Sequence, residues 1–271
     1  REHFGEFMAD VRKPFDTGTG LLNAGATFIR ASEVFNFALA DTGKSQQIWL
    51  TAQPAYRIGG EVANIKLGLK TWFVLDDDSD ARAKIAPDVR VNFAPVKEII
   101  NIFAGVDGNY FANHYSKVAY DNPFVDPHHD IKNTFEKFRF YGGFDGKFAT
   151  KTNFKIAVDY SMLKDKPLYY LFRYVYPLSG PTASPSVTDN DFDVLYDDMD
   201  LLKFNAEIFH AAFEKVNLLI SGNYYVYKTE NQDEAWNLPD WDAKFSLSYQ
   251  ISEQLNVSAD MFFMGQRKAL I

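Results

Sequence analysis

The chain has 271 residues, of which 46% are apolar and 16% aromatic, with no cysteine and a formal net charge of −8. That length suits one large all-β domain or two ordinary ones, and the absence of cysteine excludes a disulfide framework and thiolate metal sites. The acidic balance argues against nucleic acid as a partner, and no apolar run reaches the roughly eighteen residues that a transmembrane helix needs.

Apolar and polar residues alternate with period two along most of the chain, as in β-strands with one apolar and one polar face. Residues 1–12 read as a first strand, 13–20 as a turn by composition, and 21–40 as one long strand or two short ones. The next strand sets Ile48, Leu50, Ala52, Tyr56 and Ile58 on one side, with Pro54 as a flaw tolerable at a bulge or edge. After a tight turn at Gly59-Gly60, Ile65, Leu67, Leu69 and Phe73 alternate with Asn64, Lys66, Gly68 and Lys70. An acidic loop at 76–80 leads to Ile85, Val89, Val91 and Phe93, and a turn at 95–98 leads to Ile100, Ile102, Ala104 and Val106.

A long connection over about 112–136 precedes the clearest hairpin. There Phe138, Phe140, Phe144 and Phe148 share one parity, and Phe154, Ile156, Val158 and Tyr160 share the matching one. Gly142-Gly143 suits a bulge or the close approach of another element. A Pro/Ser-rich loop over 177–191 follows, then strands carrying Leu202, Phe204, Ala206 and Ile208, and Leu218, Ile220, Tyr224 and Val226. The last pair carries Trp241, Ala243, Phe245, Leu247 and Tyr249, then Leu255, Val257, Ala259, Met261 and Phe263.

The predicted strands run to about ten residues or more, against five or six in ordinary domains. Short turns near Gly59, Val96, Lys151, Glu214 and Glu253 alternate with longer polar connections near Asp78, Asp121, Ser184 and Asp233. That parity requires one long strand from Asn153 to about Tyr174. The pattern predicts an all-β fold: an antiparallel up-and-down transmembrane β-barrel of about a dozen strands. The Phe/Ile/Leu/Val parity would meet lipid and the Lys/Asp/Asn/Ser parity a polar lumen, with Lys155 and Asp159, and Lys203 and Glu207, mixing signs inside. Trp72, Tyr110, Tyr169, Tyr170, Tyr227, Trp236 and Trp241 fall near strand ends, as interfacial aromatics do. A soluble β-sandwich or lipocalin-like barrel is the bland reading of the same alternation.

Several phrases carry a resemblance. Ile85-Ala-Pro-Asp-Val-Arg-Val91, Gly105-Val-Asp-Gly-Asn-Tyr110, Asp121-Asn-Pro-Phe124, Asp165-Lys-Pro-Leu-Tyr169, Tyr196-Asp-Asp198, Glu234-Ala-Trp-Asn-Leu-Pro239 and Asp260-Met-Phe-Phe-Met-Gly-Gln-Arg267 resemble a Bacteroidetes-type family of outer-membrane β-barrels, TonB-dependent-receptor-like. The resemblance covers most of 81–267 and implies an integral outer-membrane barrel of a Gram-negative cell, longer at both ends. The chain is accordingly read as one barrel domain over 1–271, incomplete at both ends and without a plug domain.

Candidate chemistry is sparse. Asp126, His128, His129 and Asp130 form a weak metal-ligand group in a predicted loop. Asp76, Asp78 and Asp80 begin like a calcium loop, but Ala81 and Pro87 stand where its glycine and glutamate belong. The aspartates at 189, 191, 193, 197, 198 and 200 read as a solvated rim, and His3, His114 and His210 lie near no nucleophile motif.

No catalytic residue, metal site or cofactor is expected, and the chain is read as no enzyme. The expected function is a receptor-like or transport-related outer-membrane barrel with ligand contact in loops 112–136 and 177–191. Its alternatives are an accessory barrel anchoring partner proteins without passing solute, and a soluble β-sandwich binding module. Expected partners are outer-membrane lipid and lipopolysaccharide, and envelope proteins or surface lipoproteins; nucleic acid is not among them.

Overall fold

Period-two alternation leaves the backbone one way to satisfy its polar groups, the inter-strand ladder, and the chain takes it nearly throughout. The computed structural model describes residues 2–32, 44–76, 79–97, 99–125, 131–172, 175–176, 186–187, 191–213 and 215–270. The strands are β1 (Glu2–Phe15), β2 (Gly18–Ser32), β3 (Lys44–Gly59), β4 (Ala63–Asp76), β5 (Ser79–Val96), β6 (Ile100–Phe111), β7 (Thr134–Ala149), β8 (Thr152–Phe172), β9 (Val175–Tyr176), β10 (Ser186–Val187), β11 (Asp191–Phe213), β12 (Val216–Thr229), β13 (Trp241–Ser252) and β14 (Leu255–Met264). One short helix, α1 (Tyr115–Asp121), lies between β6 and β7.

Twelve strands form a single antiparallel sheet in the order β1-β2-β3-β4-β5-β6-β7-β8-β11-β12-β13-β14, and β9 and β10 pair separately. β8 extends for 21 residues, as the alternation of turn lengths requires, and β11 for 23. Pro54 sits within central β3, where the register to β4 passes from Ala52↔Thr71 to Ala55↔Gly68.

The expected closed transmembrane barrel is not what forms. β1 and β14 are the two margins of the ladder, and among the described residues no pairing joins them. Alternation decides which side chains share a face. It carries no information about whether the first and last strands meet, because closure depends on twist, tilt and register. Among the described residues no helix is long and apolar enough to cross a membrane, a fact that bears on helices alone.

The two faces differ as the parity predicts. Leu50, Leu67, Phe73, Ile85, Phe93, Ile102, Phe140, Ile156, Phe204, Ile220 and Val257 are exposed from β3 through to β14, with none of the described residues packed over them. The dry core lies on the other face. Ile29, Trp49, Trp72, Val74, Ala86 and Tyr110 are buried together at one end of the sheet, with Ala112 and Phe135 against them. Trp49 and Tyr110 have ring centroids 4.7 Å apart, and Tyr110 meets Phe135 edge-on at 5.7 Å. Trp72 and Tyr110 are therefore core residues at 4% and 6% exposure and not members of an outer aromatic belt. Trp241, at 41%, does stand on the apolar face.

The β6–β7 connection covers this cluster. Asn113 N–H donates to Asn133 Oδ1 at 2.9 Å, and Asn113 Nδ2 donates to Thr134 Oγ1 at 2.8 Å. Gln47 Oε1 accepts from Asn133 Nδ2 (3.2 Å) and from the Trp49 indole (3.0 Å), so the buried N–H is satisfied. Farther along, α1 has no capping side chain of its own. Glu2 of β1 supplies the acceptor: its Oε2 takes the Ser116 N–H at 2.9 Å and contacts His114 Nδ1 at 2.9 Å. A carboxylate from a distant strand thus does the work of a helix N-cap.

Trp49→Ala should cost about 3–5 kcal/mol by opening a cavity in this cluster, whereas Ile156→Thr on the exposed face should change stability by less than about 0.5 kcal/mol. Urea midpoints of the two variants check which face is the core.

Candidate functional site

The polar face carries its charges in rows, because residues opposite one another on neighbouring strands point the same way. One row runs Lys66↔Arg90↔Gly105↔Tyr141↔Asp159↔Lys203↔Tyr225 from β4 to β12. The next runs Gly68↔Asp88↔Asp107↔Arg139↔Ser161. Together they line a cavity of about 690 Å³ bounded by strands from β3 to β11.

Two carboxylates face each other at its centre. Asp88 and Asp107 are both 7% exposed and directly opposed, an unfavourable arrangement unless cations compensate. Arg139 donates to both oxygens of Asp107, Nε at 2.9 Å and Nη2 at 2.8 Å, the forked geometry that gives a guanidinium its strongest carboxylate contact. Lys70 adds a longer contact to Asp107 at 3.4 Å and donates to the Gly108 carbonyl at 3.0 Å. Lys66 pairs with Asp88.

Aromatic rings lie among these charges. Arg90 sits 5.1 Å above the Phe103 ring and Arg139 lies 5.2 Å from that of Tyr141. Tyr141 lies over Gly105, where a Cβ would come within 2.5 Å of its ring, so the missing side chain makes room for it. Gly143 serves the close-approach reading in the same way, with the Ile156 carbonyl 2.2 Å from the place of a Cβ. Farther round, Asn205 Nδ2 donates to Asn223 Oδ1, Asn223 Nδ2 to Asp242 Oδ1 and Tyr225 Oη to Asp242 Oδ2, at 2.9, 2.8 and 2.6 Å. The surface offers charged donors, carboxylates and flat rings, a set suited to holding a polar partner.

The predicted site residues fare unevenly. Asp126, His128, His129 and Asp130 lie outside the described residues, as do Asp78, Asp189 and loop residues 177–185. Among the described residues no group of three or more His, Asp or Glu side chains is placed to hold a metal ion. His210 lies by the short-turn end and contacts Thr152 Oγ1 at 2.9 Å. The strand register sets unlike charges opposite one another: Lys203 stands opposite Asp159, and Glu207 opposite Lys155.

The aspartates read as a solvated rim include a buried organiser. Asp197, 2% exposed, accepts from Asn231 N–H and Nδ2, Gln232 N–H and Asp198 N–H, and so fixes the β12–β13 loop. Burial pushes its carboxyl pKa up, but the four donor groups outweigh burial and hold it below the ordinary range. Nothing in the sequence separates Asp197 from its neighbours, since all its donors but the adjacent Asp198 N–H lie more than thirty residues away.

No family model matches the chain, and no curated protein does. Solved structures do match in fold. They include "Copper transporter OprC" (TM-score 0.61, 14% identity, covering 96% of this chain and 42% of that one). Also similar are the alcaligin outer-membrane receptor FauA of Bordetella pertussis (0.58, 11%, 98% and 46%) and the siderophore receptor PirA of Acinetobacter baumannii (0.60, 12%, 95% and 41%). The chain spans less than half the length of each of these three.

These findings correct two readings. The placement in a Bacteroidetes-type outer-membrane β-barrel family has no family model behind it. What stands is a distant likeness in fold to solved receptors and a transporter, at 14% identity or less in the three compared. The reading as an integral barrel acting in reception or transport also fails, because among the described residues the sheet is open. The solved structures that the chain resembles in fold are, by their names, a transporter and receptors.

Removing the fork at Asp107 tests the polar network. Arg139→Met should cost about 2–3 kcal/mol, since a nearly buried carboxylate keeps only its long lysine contact. Adding Asp107→Asn should recover part of that loss in a double-mutant cycle read by urea denaturation. For Asp197, a folded pKa below the unfolded value of about 3.9 means that its contribution is fully present above about pH 4 and is lost as pH falls through the folded value. Asp197→Asn should therefore destabilise the protein at neutral pH and flatten the acid limb of a stability–pH curve.

Proposed function

We propose that the chain is a non-catalytic anchoring protein of the outer envelope of a Gram-negative bacterium. In this reading its apolar face lies against outer-membrane lipid and its polar face holds a partner protein of that envelope. The observation that carries the reading is the exposed apolar parity, displayed from β3 to β14 with no element of the described residues over it. Water is a poor solvent for such a surface, at about 25 cal/mol per Å², and apolar patches larger than a few hundred Å² mark interaction or membrane surfaces.

The fold likeness to outer-membrane receptors and transporters supports the lipid as the apolar partner. The paired charges and rings of the opposite face support a polar protein partner over passage of solute, because fixed ion pairs already occupy that face.

Cell fractionation tests the proposal. The wild-type protein should sediment with outer membranes, resist a high-salt wash and need detergent for release. Phe140→Asp with Val158→Asp, both on the exposed face, should shift it toward the wash-soluble fraction while its β-sheet circular dichroism is retained. Recovery of wild-type protein in the membrane-free fraction without detergent would overturn the reading.

A further inference from the structure

At the loop end of the polar face, beside the aromatic cluster, lies a second cavity that the anchoring reading does not use. It measures about 70 Å³, enough for a few waters or one small oxyanion. Arg82, Lys84, Lys132 and Lys164 line it, and Asp165 is the one carboxylate among the described lining residues. Four cations against one carboxylate leave a formal excess of three positive charges, in a chain whose net charge is −8.

We infer that this cavity binds a phosphoryl group. Its cations come from three separate places, β5 (Arg82 and Lys84), the end of the β6–β7 connection (Lys132) and β8 (Lys164), so they converge only in the folded chain. The segments that carry them are pinned. The Lys132 carbonyl accepts from Asn113 Nδ2 at 2.8 Å. Asp165, in the left-handed region at φ 54°, has its N–H bound to Asp198 Oδ1 and its carbonyl bound to Thr134 Oγ1, both at 2.9 Å. Lys84 lies 5.2 Å from the Phe135 ring, and Lys132 lies 5.5 Å from that of Tyr196.

Gathering four cations around one small cavity costs stability, which a dianion with oxygens on several sides would offset. A phosphoryl group has that shape and charge, whereas a monocarboxylate offers one charge and two oxygens. The group can come from free phosphate or from a phosphorylated lipid headgroup.

Calorimetric titration with inorganic phosphate, and co-sedimentation with phosphatidylcholine vesicles with or without phosphatidic acid, separate the two sources. In the first case phosphate binds saturably. In the second, phosphate gives no heat but phosphatidic acid raises vesicle capture. In either, Lys132→Ala with Lys164→Ala should weaken binding at least tenfold, Lys164→Arg should retain it, and Lys97→Ala at the opposite end should leave it unchanged. Melting curves of the variants keep a folding defect apart from a binding defect. Binding that survives in the double variant, acetate binding as tightly as phosphate, or no response to either probe would overturn the inference. The phosphate titration involves no membrane, so its failure is distinct from failure of the anchoring reading.

Discussion

The alternation of side chains across a strand governs this molecule. Each residue's parity commits it to one of two faces, and over twelve strands those commitments add up to two surfaces of opposite character. A helical protein could rotate an ill-placed charge toward water. Here Asp88 and Asp107 have no such freedom, and the structure surrounds them with Lys66, Lys70 and Arg139 on neighbouring strands. The ion pairs are a consequence of strand register more than a source of fold stability.

The same constraint explains where the dry core sits. One sheet with its apolar face bare cannot bury that face against itself. Its interior therefore forms on the polar parity, where Trp49, Trp72, Val74 and Tyr110 interrupt the run of charges. The connection bearing Asn113 and Asn133 closes over them, and Glu2 ties α1 to the first strand. The basic cavity and the Asp197 hub lie at the same end.

Much of the architecture was legible in the sequence. The strands, their antiparallel order, the long β8 and the membership of each face followed from alternation and turn chemistry at positions such as Gly59 and Lys151. Gly143 was readable as a point of close approach. The candidate site was legible only in kind: mixed charge on one parity could be foreseen. Which charges would stand together could not, because register sets Lys203 opposite Asp159 and Arg139 forks onto an aspartate of β6. Trp72 lies in the core because proximity to a strand end says nothing about which face a side chain takes.

What the sequence determined by itself was local: period-two patterning makes strands, and short polar turns make antiparallel neighbours. The tertiary structure alone decided that, among the described residues, the sheet stays open between β1 and β14, that Asp197 is buried among donors from a distant loop, and that Arg82, Lys132 and Lys164 converge on one cavity. The physical reason is range. Alternation and turn chemistry act over a few residues, whereas closure, burial and the meeting of charges depend on twist and register accumulated over many strands.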